Sequence, residues 1–440
     1  MTKQKEFSIS GNIIDIVKKR IFKGIVYVKD GIIADIKEKD VDEDVYILPG
    51  LIDSHIHIES SMLIPSEFAR IAVVHGTVGV VADPHEIANV LGVKGVEFMI
   101  ENAKKVNFKF CFGAPSCVPA TDFESSGAKI SVDEIETLMK NPDIGFMAEM
   151  MNFPGVVFDV PEVMDKIKVS AKYNKVIDGH APGLSGKDLD KYIKAGISTD
   201  HECFTKKEAK EKIKKGMKIL VREGSAAKNF QELIPLIKDF PESIMLCSDD
   251  KHPDDLIKGH VNILVKNAIN KGFDIFDVIR AASMNPREHY GLKNGLLQKG
   301  DAADFIVVDN LKSFSVLKTY IDGIKLAENG ESLMEKLKEK DVNHFECGEL
   351  SPADLRVPAE TEKANVIKAI DGQLITEKEI VNMDAVDGYI TTNIENDILK
   401  IVVQNRYNDS KPSVAFIKGF GLKKGAIAST VAHDSHNIIA

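Results

Sequence analysis

Between Leu51 and about Tyr290, short apolar runs alternate with segments whose apolar residues recur every three to four positions. This is the pattern of parallel strands joined by amphipathic helices. Eight such runs each close on or beside polar residues: Leu51 to His57, Val78 to Asp83, Phe108 to Ser116, Gly145 to Met150, Lys175 to His180, Gly196 to His201, Lys218 to Glu223 and Ser243 to Asp249. Eight βα units over roughly 250 residues match the size of a (β/α)8 TIM-like barrel, whose open face carries chemistry where strands end and loops begin. The polar strand ends are therefore the place to look for a site.

The flanks read differently. Gly11 to Asp15, Ile25 to Val28 and Gly31 to Ile36 look like hairpin strands, and β patterning returns at Gly295 to Leu297, Asp304 to Asp309 and Ser315 to Tyr320. Together they predict a small β-sandwich domain flanking the barrel. Glu331 to Lys340 reads as a charged helix or linker. Strand-like Asp397 to Val403 and Ser413 to Ile417, with the glycine-rich Lys418-Gly419-Phe420-Gly421, belong to a C-terminal α+β domain. The expected division is 1–47 and 291–330 for the flanking domain, 48–290 for the barrel, 331–356 for the linker and 357–440 for the last domain. Asn437-Ile438-Ile439-Ala440 begin an apolar run without a polar tail, so this last domain is expected to be truncated.

At 440 residues and 44% hydrophobic, the chain has enough apolar material for one large core and a smaller one. A net charge of −10 and a pI near 5.7 supply no basic face for nucleic acid or an acidic membrane and leave a small neutral or cationic substrate as the better partner. The five cysteines are widely spaced and form no CxxC pair, which argues against a disulfide framework and a thiolate zinc site. No apolar run of about 18 residues occurs, and the first residues are polar, so neither a membrane span nor a signal peptide is expected. A cytoplasmic enzyme is the resulting expectation.

Candidate chemistry concentrates on the strand ends. His55 and His57 stand two apart on the first strand, leave the same face and can converge on one ion. A solvated pair is the alternative for an arbitrary HxH, but the apolar run Leu48 to Ile52 makes an unpartnered buried pair costly. His180 and His201 close the fifth and sixth strands, so four imidazoles can face one centre. Two cations held that close need an anion between them. Glu149, in the apolar run Phe146-Met147-Ala148-Glu149-Met150, is placed to bridge them and has little structural reason to be buried otherwise. On the eighth strand, Asp249 is read as a metal ligand that relays the proton of the attacking water, with Asp250 as the substitute or as a cap of the next element. Asp83-Pro84-His85-Glu86 can be a helix cap with a capping-box acid, which explains Asp83 and Glu86 but not His85. Ser116, Arg222 and Glu223 also end strands and can face substrate; ion pairs and turns are the alternative for each.

Taken together, Pro49-Gly50-Leu51-Ile52-Asp53-Ser54-His55-Ile56-His57-Ile58-Glu59-Ser60-Ser61-Met62, Asp83-Pro84-His85-Glu86, Ala148-Glu149-Met150-Met151, Asp178-Gly179-His180, Arg222-Glu223-Gly224-Ser225-Ala226-Ala227 and Ser248-Asp249-Asp250 resemble the adenine deaminase family of the amidohydrolase superfamily. The likeness runs from the N-terminal hairpins to Ala440. It implies two divalent metal ions, manganese or iron first and zinc as a further option, and hydrolysis of adenine to hypoxanthine and ammonia as a step of purine salvage. A hydroxide acidified by both metals would attack C6, with Asp249 taking its proton. Glu149 would bridge the metals or carry a proton to ring N1. The metal ligands implied are His55, His57, Glu149, His180, His201 and Asp249. His85, Glu86, Ser116, Arg222, Glu223, Asp250, His433 and His436 are the substrate-side candidates. A homodimer is expected. The family continues beyond Ala432-His433-Asp434-Ser435-His436-Asn437. Rival readings are an amidohydrolase acting on a cyclic amide or N-acyl substrate, against which Glu149 in place of a bridging lysine counts, and a metal-binding fragment without turnover.

Overall fold

A computed structural model describes residues 6–121, 123–371, 375–431 and 434–440. The chain divides into two compact units, one of Met1–His85, Val93–Cys117 and Ile130–Lys340 and the other of Glu86–Gly92, Val118–Lys129 and Asp341–Ala440.

The first unit contains the barrel. Its strands are Leu51–His57, Thr77–Ala82, Lys109–Ala114, Ile144–Met150, Ile177–Gly179, Thr199–Asp200, Lys218–Arg222 and Ile244–Cys247. The first five pair in parallel in sequence order, as do the last three, and a parallel bridge between Ile177 and Ile197 joins the two groups. A two-residue continuation of the eighth strand, Asp249–Asp250, pairs in parallel with Ile56 and His57 and closes the ring. The expected strand count and order hold; the strands are shorter than the apolar runs, most of all the fifth and sixth. Leu51–His57 is buried along its whole length, as a strand covered on both faces requires.

Helices follow the strands. Val132–Lys140 starts from a reciprocal capping box between Ser131 and Glu134, and Pro161–Lys172 carries its proline at the first turn, where no backbone donor is lost. Val81, Phe146, Ala148, Leu220, Met245 and Tyr290 fill one core cluster contributed by several barrel strands, and Tyr290 donates its hydroxyl to Asp178, 3.0 and 2.9 Å from the two carboxylate oxygens. Burial pushes the Asp178 carboxyl up to about 7. A second polar knot ties the ring seam. Asp53 Oδ1 accepts from the Ser248 amide at 3.0 Å, and its Oδ2 accepts from Ser248 Oγ at 2.5 Å and lies 2.7 Å from His260 Nε2, all three side chains being buried.

The flanking strands form one continuous eight-stranded sheet that mixes both ends of the unit. In sheet order it runs Glu331–Ser332, Ile324–Glu328, Val316–Ile321, Phe305–Val308, Tyr46–Pro49, Glu6–Asp15, Arg20–Lys29 and Ile32–Glu38. Gly295-Leu296-Leu297 is not a strand: the amides of Gly295 and Leu296 bond the carboxylates of Asp304 and Asp301, and Leu297 turns into the left-handed region at φ 58°. Glu331–Lys340 contains no helix; Glu331–Ser332 completes a hairpin and irregular chain follows.

Among its described residues, the second unit has one helical stretch, Glu86–Leu91, which continues from His85, and its segment 341–440 holds strands and turns without a helix. The sequence pattern predicts α+β for this domain, and the described residues of the segment supply its strands. A five-stranded sheet in the order Thr376–Asn382, Lys363–Ala369, Ser413–Lys418, Leu399–Gln404, Ile438–Ile439 packs around Val366, Ile390, Ile398 and Phe416. Asp397 is not part of the strand assigned to it. It sits at φ 57° and its carboxylate accepts from the amides of Gly419 and Gly421, each at 2.7 Å, and Gly421 supplies the positive φ this turn requires.

Candidate metal centre

The first strand delivers His55 and His57 to the open end of the barrel with their Nε2 atoms 3.2 Å apart. Around them lie Glu149 from the end of the fourth strand, His180 and His201 from the loops after the fifth and sixth, and Asp249 from the continuation of the eighth. All but His180 are buried. The six expected ligands are thus brought together.

Glu149 lies at the middle. Its Oε1 is 3.4 Å from His57 Nε2, and its Oε2 is 2.6 Å from His180 Nδ1 and 3.2 Å from His201 Nε2. The two oxygens of one carboxylate thus face two different sets of imidazoles. Asp249 Oδ1 lies 3.3 Å from His57 Nε2 and 3.6 Å from His55 Nε2.

In the sequence pattern Asp83 is accounted for as a helix cap and His85 is not. In the fold both belong to the cluster: His85 Nδ1 is 3.1 Å from Asp83 Oδ2 and 3.5 Å from Glu149 Oε1, and the His57 and His85 rings meet edge to face at 4.4 Å. His57 Nδ1 lies 3.0 Å from the Asp83 carbonyl oxygen, which fixes the ring and turns Nε2 inward. Glu202 is a residue the sequence reading misses. Its Oε1 comes within 3.6 Å of His201 Nε2, and it holds the guanidinium of Arg222 through both carboxylate oxygens. Its one sequence signal is its position directly after His201 at a strand end.

The remaining candidates scatter more widely. Ser116 donates to the Glu149 carbonyl oxygen at 2.6 Å, a support for the backbone of that residue. Arg222 bonds Asp249 Oδ2 at 2.5 Å. Glu223 has one carboxylate oxygen, Oε2, buried without a hydrogen-bond partner among the described residues. Asp250 accepts from Ser60 Oγ at 2.6 Å. Glu86 and His436 meet within the second unit, Oε2 to Nε2 at 2.8 Å. His433 lies outside the described residues.

The charges explain one another. Burial alone would push the Glu149 carboxyl up, but the imidazoles of His180 and His201 outweigh it and hold Glu149 well below the usual carboxylate range. Burial likewise opposes ionisation of Asp249, and its bonds with His55 and His57 and the Arg222 charge overcome it. Burial would lower His180, yet Glu149 raises it to about 9.

This donor set fits divalent metal ions. Buried imidazole nitrogens and carboxylate oxygens converge in overlapping groups, His55, His57 and Asp249 in one, His55, Glu149 and His201 in another, and His57, Asp83, His85 and Glu149 in a third. Two imidazole Nε2 atoms facing each other at 3.2 Å are poor partners for one another and natural partners for a cation.

Comparison with known proteins agrees with this chemistry. Residues 46–326 match the model of the amidohydrolase family, and residues 373–440 match that of the adenine deaminase C-terminal domain. The adenine deaminase of Salinibacter ruber is 52% identical over 435 residues, covering 99% of this chain and 80% of that protein. That of Methanosarcina mazei is 53% identical over 98% of this chain and 80% of its own length, and that of Borreliella burgdorferi 49% identical over the same shares. Among solved structures, N-acetylglucosamine-6-phosphate deacetylase from Thermotoga maritima superposes with a TM-score of 0.56 at 13% identity, covering 73% of this chain and all of that one. Beta-aspartyl dipeptidase from Fervidobacterium islandicum gives 0.55 at 16% identity, over 75% of this chain and all of its own. These two likenesses concern the fold.

Proposed function

The chain belongs to the adenine deaminases of the amidohydrolase family, and on that footing we propose that it hydrolyses adenine to hypoxanthine and ammonia at a binuclear metal centre. The observation that carries this reading is the divided carboxylate of Glu149, one oxygen toward His57 and the other toward His180 and His201. A carboxylate facing two ligand sets is what a metal pair needs as its bridge. Relatives about half identical over nearly the whole chain do not favour the alternatives of another amidohydrolase substrate or an inactive fragment.

His55, His57, Glu149, His180, His201 and Asp249 would hold the two ions, manganese or iron by preference and zinc as a further option, with His85 at the edge of the set. When bound, the ions supply the positive charge that makes water a nucleophile at neutral pH. The protein's own groups do the rest. Asp249 Oδ1, directed into the cluster, takes the proton that the attacking water gives up as its oxygen bonds C6 of the purine. Attack moves the C6=N1 π pair onto N1; as the same oxygen of Asp249 returns the proton to the amino group, that pair re-forms the C6–N1 double bond, C6–N6 breaks, ammonia leaves, and the 6-hydroxy tautomer so formed is hypoxanthine. The buried strand ends exclude bulk water and hold the acid in one orientation.

Among the described residues, no helix is long and apolar enough to cross a membrane. A cytoplasmic homodimer acting on a free base, with no nucleic acid or membrane partner, is the setting we propose.

The deciding experiment strips the purified protein of metal with a chelator, restores Mn2+ or Fe2+, and follows adenine by its ultraviolet change together with ammonia release. Equal amounts of hypoxanthine and ammonia are expected. Turnover of hydantoin or dihydroorotate with none of adenine would overturn the reading.

A further inference from the structure

Asp249 is gripped from the side opposite the imidazoles. Its Oδ1 faces His55 and His57, while its Oδ2 lies 2.5 Å from Arg222 Nη1. The same Nη1 contacts Glu202 Oε1, and Arg222 Nη2 is 2.8 Å from Glu202 Oε2. The side chains of Glu202, Arg222 and Asp249 are 9%, 3% and 5% exposed, so solvent does not screen the row they form across three consecutive strand ends.

A further residue locks the row. Asn229 accepts from the Arg222 amide at 2.9 Å and donates to the carbonyl oxygens of His201 and Cys203, both at 3.1 Å. These are the residues on either side of Glu202. Asp249 itself sits at φ 55°, a left-handed conformation that costs a non-glycine residue free energy and does not aim its side chain as a strand would. Its carboxylate needs a partner to fix it. Adenine carries no anionic group for Arg222 to bind, and the guanidinium is already committed to two protein carboxylates.

We propose that Glu202 and Arg222 are positioning residues for the deamination step: Arg222 occupies Oδ2 of Asp249 so that Oδ1 alone faces the reacting centre, and Glu202 fixes the guanidinium that does this. Lysine is a poor replacement here, because it keeps the charge but lacks the second arm of the fork, the Nη2 that bonds Glu202 Oε2 and fixes the plane of the group. The inference rests on the proton-transferring role assigned to Asp249 above.

The test compares Glu202→Gln, Arg222→Lys, Asp249→Asn and the double variant Arg222→Lys/Asp249→Asn in the metal-loaded protein, reading kcat, KM for adenine, metal content and melting temperature. Glu202→Gln and Arg222→Lys are expected to lower kcat about 10–100-fold, the usual effect of losing an orienting partner, with KM and two metals per chain retained. In the Asp249→Asn background, Arg222→Lys is expected to lower the residual rate no further, because both changes act through one side chain. Normal kcat in both single variants, a change confined to KM, loss of metal, or full additivity in the double variant overturns the positioning role. Near-normal turnover in Asp249→Asn overturns the role of Asp249 instead, so the two failures are told apart.

Discussion

Oε2 of Glu149 lies 2.6 Å from Nδ1 of His180, the shortest approach between any two of the six proposed ligands. The contact joins the fourth strand to the loop after the fifth across the open face of the barrel. It makes Glu149 the residue on which both halves of the cluster converge, and its removal the most informative single change.

Glu149→Gln should keep the volume and remove the charge that the two proposed cations would share. Metal content is expected to fall from two ions per chain to one or fewer, with turnover lost in proportion. Elemental analysis of the purified variant decides: two ions per chain would take Glu149 out of the bridging role.

Asp249→Asn should leave the fold and the metals largely in place and lower kcat by about 10^2–10^4-fold, the range for losing a general acid–base group. A rate near that of the parent protein would move the proton-transfer role to Asp250, whose carboxylate is engaged with Ser60 Oγ at 2.6 Å.

Behind the sixth strand, Lys212 is fully buried and reaches Asp200 at 2.6 Å, Glu208 at 2.7 Å and the Ala181 carbonyl at 2.7 Å. Lys212→Met leaves two carboxylates without their cation, a loss of about 3–5 kcal/mol for a broken buried pair. A denaturant midpoint unchanged from that of the parent protein would show that the pair contributes nothing net.

Two histidines outside the site give the stability a pH dependence. Burial lowers His75 and His289 from 6.5 to about 4, so each is neutral in the fold and binds a proton more readily once unfolded. Their contribution is fully present above about pH 6.5 and is lost as the pH falls from there toward 4. Replacing both with glutamine should flatten the fall in denaturant midpoint over that window. Parallel curves for parent and variant would assign the acid sensitivity to other groups.

The order of the strands was legible because each apolar run closes on or beside a polar residue, and the six proposed ligands followed from those closings. Glu202 was not legible, for a definite reason. Successive residues on a strand point to opposite faces, so a reader who places His201 inward places Glu202 outward. The strand actually ends at Asp200, and beyond it both side chains turn toward the cluster. Asp83 was hidden by a good local explanation, since Asp-Pro-His-Glu does read as a helix start. The charged stretch from Glu331 reads as helix or linker in isolation; Ala327 and Glu328 pair with Ser332 and Glu331, which commits its start to a hairpin and leaves the rest irregular.

The knot of Asp53, Ser248 and His260 at the ring seam also orders events in time. Residues 53 and 248 are 195 positions apart, and closing a contact of such separation carries a loop-entropy cost that structure formed between them helps to offset. His55 and His57 stand on one side of that seam and Asp249 on the other. The proposed ligand set is therefore incomplete until the first and eighth strands meet, so uptake of the proposed metal pair is expected to follow closure of the barrel rather than to nucleate it.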